Sequence, residues 1–490
     1  MTGADVAQVR TGTGKLGRRG VWRRVAAGLG MLAVSAMAWG QTLPEPLRQP
    51  WRQAKVQASD VSIVVKEVGG PTLLSINPDV PRNPASVMKL VTTWAGLSGL
   101  GPAYSWRTSL MARPGAGVGP DGTLQGPLYV KAGGDAYFSV EQLWALLREL
   151  RLRGIKNLNE VVVDRSMFGR IAIDPDAFDA SGDRPYNASP DAMMVGWGAV
   201  RVLFMPDEAA RKWVPVVDPP VPGVRFEGEI AWGTGQCTGS PSVAVGLSDA
   251  GDGLRVSLSG TAPGSCGEFS VYRLAQSQPK HFETLFRMLW KELGGTLGRG
   301  FSEGRVPARA RLLAWHDSAP LPEVIRLINK QSNNVMARML LLTLGAETNG
   351  PGATASSGAQ AVLALLSRQG VDVRGWRIEN GSGLSREERV TASGLAGMLD
   401  VAWRSAAMPE FISSLAIAGV DGTMRRRLRD DEVRGSAHMK TGTLRDARAL
   451  AGYVLGASGK RYIVVSLANG DRSLGINPFH DALVAWAATQ

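Results

Sequence analysis

The stretch Pro84-Ala85-Ser86-Val87-Met88-Lys89 opens an apolar run that continues from Leu90 to Leu100. The run reads as a helix, and residues three apart share a helical face. Ser86 and Lys89 therefore meet near the helix N-terminus, where unpaired backbone N–H groups point outward. A lysine amine beside a serine hydroxyl makes a nucleophile that needs no histidine. The Ser-x-x-Lys pattern alone carries little, because Ser277 and Lys280 repeat it. In that second copy Pro279 argues against a helix. The pair at Ser86 gains meaning only if the rest of the chain supplies partners.

At 490 residues and 44% hydrophobic, the chain can bury a large core, and its length suggests two or three domains. Its 60 glycines and 28 prolines imply many turns, which favours a mixed α/β protein over a helical bundle. The net charge of +12 divides unevenly. Residues 1–38 hold six basic residues against Asp5 alone, a net of +5, which leaves +7 for the remainder. Those remaining arginines are scattered, Arg425-Arg426-Arg427 being the only tight run, and no recognisable binding motif accompanies them. This argues against a nucleic-acid partner and is compatible with a general attraction to an anionic envelope or polymer.

The leader explains the excess charge. Arg18, Arg19, Arg23 and Arg24 precede the apolar Val25 to Ala38, which ends Ser35-Ala36-Met37-Ala38. This is the pattern of a secretory signal peptide cleaved after Ala38, and the apolar core is short for a membrane span. An uncleaved N-terminal anchor is the other reading. Export into an oxidising compartment makes Cys237 and Cys266, the only two cysteines, candidates for one disulfide; two buried free thiols are the alternative. The four histidines lie far apart without metal-ligand spacing.

Along the chain, 61–66 and 72–76 read as a hairpin around Gly69-Gly70-Pro71. Strand 128–131, helix 141–153 and strand 160–164 form a βαβ signature. Short strands and turns fill 213–275, the patch that contains both cysteines. Helices are expected at 321–328, 335–344, 357–367, 392–404 and 410–415. Strands follow at 437–441, 449–455 and 461–467, and a helix at 477–488. The three late strands and the N-terminal hairpin make five strands, expected to form one antiparallel sheet covered by helices.

Two further motifs offer partners for Ser86: Ser332-Asn333-Asn334 ahead of a helix, and Lys440-Thr441-Gly442-Thr443 on a strand-like approach. Ser-x-x-Lys, Ser-x-Asn and Lys-Thr-Gly in this order are the set of penicillin-binding proteins and serine β-lactamases. The chain resembles the D-alanyl-D-alanine carboxypeptidase/endopeptidases of the class C low-molecular-mass penicillin-binding proteins, over nearly all its length after the leader. Ala132-Gly133-Gly134-Asp135, Pro185-Tyr186-Asn187-Ala188, Gly381-Ser382-Gly383-Leu384-Ser385-Arg386 and Gly419-Val420-Asp421-Gly422-Thr423 look like the family's secondary signatures. The 246 residues from Ser86 to Ser332 match its long insert, where β-lactamases have a much shorter one. Asn380 departs from the family's usual Asp, and Val195-Gly196-Trp197-Gly198 replaces an Asn-containing stretch.

The resemblance implies an α/β fold of the α+β type, a serine DD-peptidase/β-lactamase-like domain interrupted by a two-part insertion. The expected division is a signal peptide at 1–38, a discontinuous catalytic domain at 42–110 and 300–490, and inserted α/β and β-rich parts at 111–299. It further implies Ser86 as nucleophile, Lys89 as base and Ser332 as proton relay. Asn334, Lys440, Thr441 and Thr443 would bind substrate, with no metal or organic cofactor. Peptidoglycan stem peptides are the expected substrate, β-lactams the covalent inhibitors and the periplasm the location, with loose membrane association left open. A serine β-lactamase and an inactive cell-wall-binding module on the same fold are the competing readings.

Overall fold

Alternating β-branched residues at each end of the chain meet in one sheet. The structure is a computed structural model that describes residues 43–490 except 172 and 252, so the expected signal peptide lies outside the described residues. The hairpin strands Val61–Glu67 and Thr72–Ile76 pair with each other, and the first pairs antiparallel with Arg461–Asn469, Val64 facing Val465. Ala447–Leu455 and Ala437–Thr443 continue the sheet. The five expected strands are present, and a two-residue strand, Ala416–Ile417, extends the edge to six. All these pairings are antiparallel.

Arg461–Asn469 is buried from Tyr462 to Ala468, and Ala447–Leu455 is nearly as deep, so helices must cover both faces. The C-terminal helix Asn477–Ala488 packs on one face together with Glu45–Ala54, where Trp51 meets Phe479 edge-on at 5.0 Å. On the other, Ala392–Trp403 lies against the sheet. The helix Met88–Leu100, called here the nucleophile helix for the role expected of Ser86, packs against Leu321–Lys330, Asn334–Asn349 and Ala355–Arg368. Every residue from Met88 to Leu97 is buried. Leu90, Val91, Trp94 and Leu97 each contribute roughly 1.5–3 kcal/mol by leaving water, and Trp94 Nε1 finds Gln369 Oε1 at 2.9 Å. The helix that carries the serine and lysine is thus the one the core encloses.

Between these halves the chain builds further sheets. Leu128–Lys131 and Asn157–Asp164 are parallel, joined by the helix Val140–Leu152, as the βαβ pattern predicts. Ser139 and Gln142 close a reciprocal capping box at that helix. Thr296–Glu303, Arg107–Ala112 and Arg311–Asp317 complete a five-stranded mixed sheet. The insertion edges expected at 111 and 299 therefore fall inside strands of this sheet. A three-stranded and a four-stranded sheet hold the β-rich part around its own core, including Val202, Phe204, Trp213 and Val256. Cys237 and Cys266 are bonded there, with Cα atoms 4.9 Å apart.

One expectation is corrected. Pro279 does not prevent a helix: Gln278–Glu292 is helical with Pro279 in its first turn. A proline there removes an N–H that has no intrahelical partner in any case.

Candidate active site

The nucleophile helix does not begin at Ser86. A 3₁₀ turn, Ala85–Val87, leads into it, with Ala85 in the left-handed region at φ 45°. A non-glycine residue there is strained by about 1–3 kcal/mol and persists only where its surroundings over-determine it. They do so here. Asn83 Oδ1 accepts the Ala85 N–H at 2.9 Å, Asn83 Nδ2 donates to the Ser385 carbonyl at 2.8 Å, and Asn469 bonds both backbone groups of Asn83. Gly383, at φ 81°, lies so near the Ala85 carbonyl that a side chain could not fit. The held turn leaves Ser86 half-buried at the surface of the core.

Lys89, fully buried, donates to Ser86 Oγ at 3.0 Å, to Asn334 Oδ1 at 2.6 Å and to the Ser382 carbonyl. The pKa of its amine is lowered well below the lysine range, first by burial, then by the cations of Lys440 and Arg338, with Glu388 opposing. A depressed amine is neutral part of the time and can accept the serine proton across the same contact.

Ser332 sits in a left-handed turn at φ 58°, just before Asn333 caps the next helix by accepting the Met336 N–H. The turn aims Ser332 at the strand Ala437–Thr443. Lys440 on that strand is fully buried and donates to Ser332 Oγ at 2.9 Å and to the Thr441 carbonyl at 2.7 Å. Burial lowers its pKa to about 7. Thr441 Oγ1 donates to Thr423 Oγ1 at 2.8 Å, and Thr443 is exposed at the strand end. The strand runs directly behind the nucleophile turn. A Cβ on Gly442 would stand 2.6 Å from the Pro84 carbonyl oxygen, so only glycine permits that approach.

The structure thus places Ser86, Lys89 and Asn334 in one hydrogen-bonded set and Ser332, Lys440 and Thr441 in a second. The Lys440 cation acts on Lys89 across the boundary. Asn334, expected to contact substrate, spends its carbonyl oxygen on Lys89, and its amide lies 3.4 Å from the Tyr186 carbonyl. The sequence motifs did not reveal the Ser382 carbonyl as a ligand of Lys89, the Thr423 contact, or the buried Glu388 and Arg338. Gly381-Ser382-Gly383 marked a turn, which was the available signal for the first. Beside Ser332 and Asn334 opens a groove of about 550 Å³ that includes Tyr137, Tyr186 and Trp197. Among the described residues no group of acidic, histidine or cysteine side chains could hold a metal.

Comparison with known proteins identifies the family. The model of the D-Ala-D-Ala carboxypeptidase 3 (S13) family matches residues 45–490. A D-alanyl-D-alanine carboxypeptidase of Actinomadura sp. is 28% identical over 429 residues, covering 84% of this chain and 77% of that protein. The D-alanyl-D-alanine carboxypeptidase DacB of Haemophilus influenzae is 24% identical over 433 residues, covering 84% and 86%. The crystal structure of penicillin binding protein 4 (dacB) from Haemophilus influenzae superposes with a TM-score of 0.69 at 23% identity, covering 87% of this chain and 94% of that one.

Proposed function

Because the chain belongs to the D-Ala-D-Ala carboxypeptidase 3 (S13) family, a family of hydrolases, we propose that Ser86 is the nucleophile of a serine D-Ala-D-Ala carboxypeptidase acting on peptidoglycan stem peptides. The observation that carries the assignment is the 3.0 Å contact between Lys89 Nζ and Ser86 Oγ.

With its amine neutral, Lys89 takes the proton as Ser86 Oγ attacks the carbonyl carbon of the penultimate D-Ala. The tetrahedral oxyanion faces the backbone N–H groups of Ser86 and Thr443; losing one such donor typically costs about 100- to 1,000-fold in rate. Collapse breaks the C–N bond. The proton returns to the departing amine through Ser332, whose hydroxyl is held by Lys440. D-Ala leaves, and the peptide remains as an ester on Ser86. Water then adds to the ester carbonyl and gives a proton to Lys89; collapse breaks the bond to Ser86 Oγ, which takes that proton back from Lys89, and the shortened peptide leaves. Thr441, Thr443 and the positive potential of Lys440 hold the terminal carboxylate. Asn334 fixes Lys89 through its carbonyl oxygen, and its amide, now at the Tyr186 carbonyl, is the donor offered to the bound peptide.

A β-lactam enters the same steps, except that its leaving amine stays tethered. In this reading the catalytic part is the expected 42–110 and 300–490 less the strands Arg107–Ala112, Thr296–Glu303 and Arg311–Asp317, which lie in the five-stranded mixed sheet of the inserted part, and the 1–38 leader directs the enzyme to the periplasm. Release of D-Ala from a diacyl-L-Lys-D-Ala-D-Ala tripeptide tests the assignment. Wild type should release it, and Ser86→Ala should fall to the uncatalysed background. Release by the variant at the wild-type rate would remove Ser86 from the mechanism.

A further inference from the structure

Glu388 is fully buried and belongs to none of the three motifs. One of its carboxylate oxygens, Oε1, accepts the backbone N–H of Asn380 at 3.1 Å and of Gly381 at 2.8 Å. The other, Oε2, has no protein partner. The turn it grips is the one that holds the base. The Gly381 carbonyl accepts Thr92 Oγ1 of the nucleophile helix at 2.7 Å, and the next carbonyl, that of Ser382, accepts Lys89 Nζ. Asn380 Oδ1 in turn accepts both the N–H and the hydroxyl of Ser382, at 2.9 and 2.7 Å. Glu388 is itself fixed, because Ser385 Oγ accepts the backbone N–H groups of Glu387 and Glu388.

The charges around this point are unbalanced. Lys440 and Arg338 both act on Lys89 to disfavour its protonation, and Glu388 is the carboxylate that opposes them. Glu388 faces Lys89 and a second acid, Glu379, while Arg338 faces both acids. Asn380 has no charge to offer the turn, and the carboxylate that grips it comes from eight residues further on.

Taking Lys89 as the base, we propose that Glu388 is a positioning residue for the reaction: through Asn380 and Gly381 it sets the Ser382 carbonyl that holds the Lys89 amine, and its charge offsets the cations of Lys440 and Arg338 at that amine. The base is thereby kept neutral enough to accept a proton and cationic enough to return one. Burial pushes the Glu388 carboxyl pKa up, while the two N–H groups of the turn and the Lys89 amine oppose that shift and favour its charged form.

The test is the pH dependence of acylation by a labelled penicillin, with the full chain and its variants. Glu388→Gln keeps an acceptor for the two N–H groups and removes the charge. The acidic limb of the acylation profile, which reports loss of the Lys89 proton, should move to lower pH by about half a unit or more. Asn380→Asp adds a carboxylate to the same turn in an otherwise wild-type chain and should move that limb to higher pH. The double variant Asn380→Asp/Glu388→Gln should bring it back toward the wild-type position. A role in shape alone would lower the plateau and leave the limb in place. If neither Asn380→Asp nor any folded Glu388 variant shifts the limb, the proposal is overturned. Failure of the underlying assignment is distinguishable, because the wild-type protein would then not acylate at all.

Discussion

The Lys440 amine lies 2.9 Å from the Ser332 hydroxyl oxygen, joining two side chains 108 residues apart in sequence; in the proposed mechanism this hydroxyl protonates the leaving amine. Neither group is free to wander. Lys440 is locked inside the edge of the sheet, and Ser332 sits in a left-handed turn at φ 58° that a helix cap holds from the other side.

Because burial lowers the Lys440 pKa to about 7, its cation should be lost as the pH rises through that range. For the free enzyme, kcat/KM with a D-Ala-D-Ala peptide is expected to show an alkaline limb near pH 7. A bound carboxylate favours the cation, so the corresponding limb in kcat should lie at higher pH. Parallel pH profiles of kcat and kcat/KM check both statements.

The same burial has a thermodynamic counterpart. The unfolded chain holds the Lys440 proton up to its ordinary pKa of 10.5, whereas the folded chain gives it up near 7. Between these values the unfolded state binds more protons, so this residue's contribution to stability rises with pH. Lys440→Met should therefore abolish peptidase activity while raising Tm at pH 7, and the gain should shrink toward pH 10. Thermal unfolding across that window measures it.

Lys89→Met should slow acylation by about 100- to 10,000-fold, the usual contribution of a positioned general base. The fold should survive, since methionine fills the buried space without a charge to desolvate. Stopped-flow acylation by a chromogenic cephalosporin gives the rate, and circular dichroism the fold.

Gly442→Ala should behave differently. The new methyl would meet the Pro84 carbonyl at 2.6 Å and the Ala85 and Ala449 methyl groups at about 3 Å. Separating strand from nucleophile turn should cost roughly 1–3 kcal/mol of stability and, through misalignment of the reacting groups, about 100-fold in acylation rate. Urea unfolding and acylation kinetics on the same sample read the two effects.

The Cys237–Cys266 bond closes a loop of 29 residues within the β-rich part. The chain-entropy model gives roughly 3–4 kcal/mol for such a loop. Replacing both cysteines by serine should lower the unfolding midpoint of that part and leave penicillin acylation unchanged, because its core is separate from the one around the nucleophile helix.

What could be read from the chain follows from what local pattern encodes. The strands at 447–455 and 461–469 are largely apolar runs, the strand at 437–443 carries the Lys440-Thr441-Gly442 motif, and the nucleophile helix is a mostly apolar run. These signals survive without knowledge of the fold. Thr296–Glu303 escaped because Gly298, Arg299 and Gly300 interrupt its alternation, and both it and Arg311–Asp317 pair with strands far back in the chain; Arg107–Ala112 and Ala199–Asp207 escaped although each has a strand partner nearby. The sixth strand, Ala416–Ile417, is too short to carry a pattern. In the site, side chains with recognisable spacing were legible: Ser86, Lys89, Ser332, Asn334 and Lys440. The Ser382 carbonyl was not, since every residue has one and only the fold decides which faces an amine. Glu388 escaped for the same reason, its partners being backbone N–H groups and the nearby charges of Lys89, Glu379 and Arg338.

If Ser86, activated by Lys89, forms the acyl-enzyme, peptide mapping by mass spectrometry after brief exposure to benzylpenicillin should find a single adduct of the penicillin's mass on the peptide containing Ser86. The adduct should be absent from Ser86→Ala and strongly slowed in Lys89→Met. An adduct that persists in Ser86→Ala, or a wild-type protein that stays unmodified, would contradict this role of Ser86.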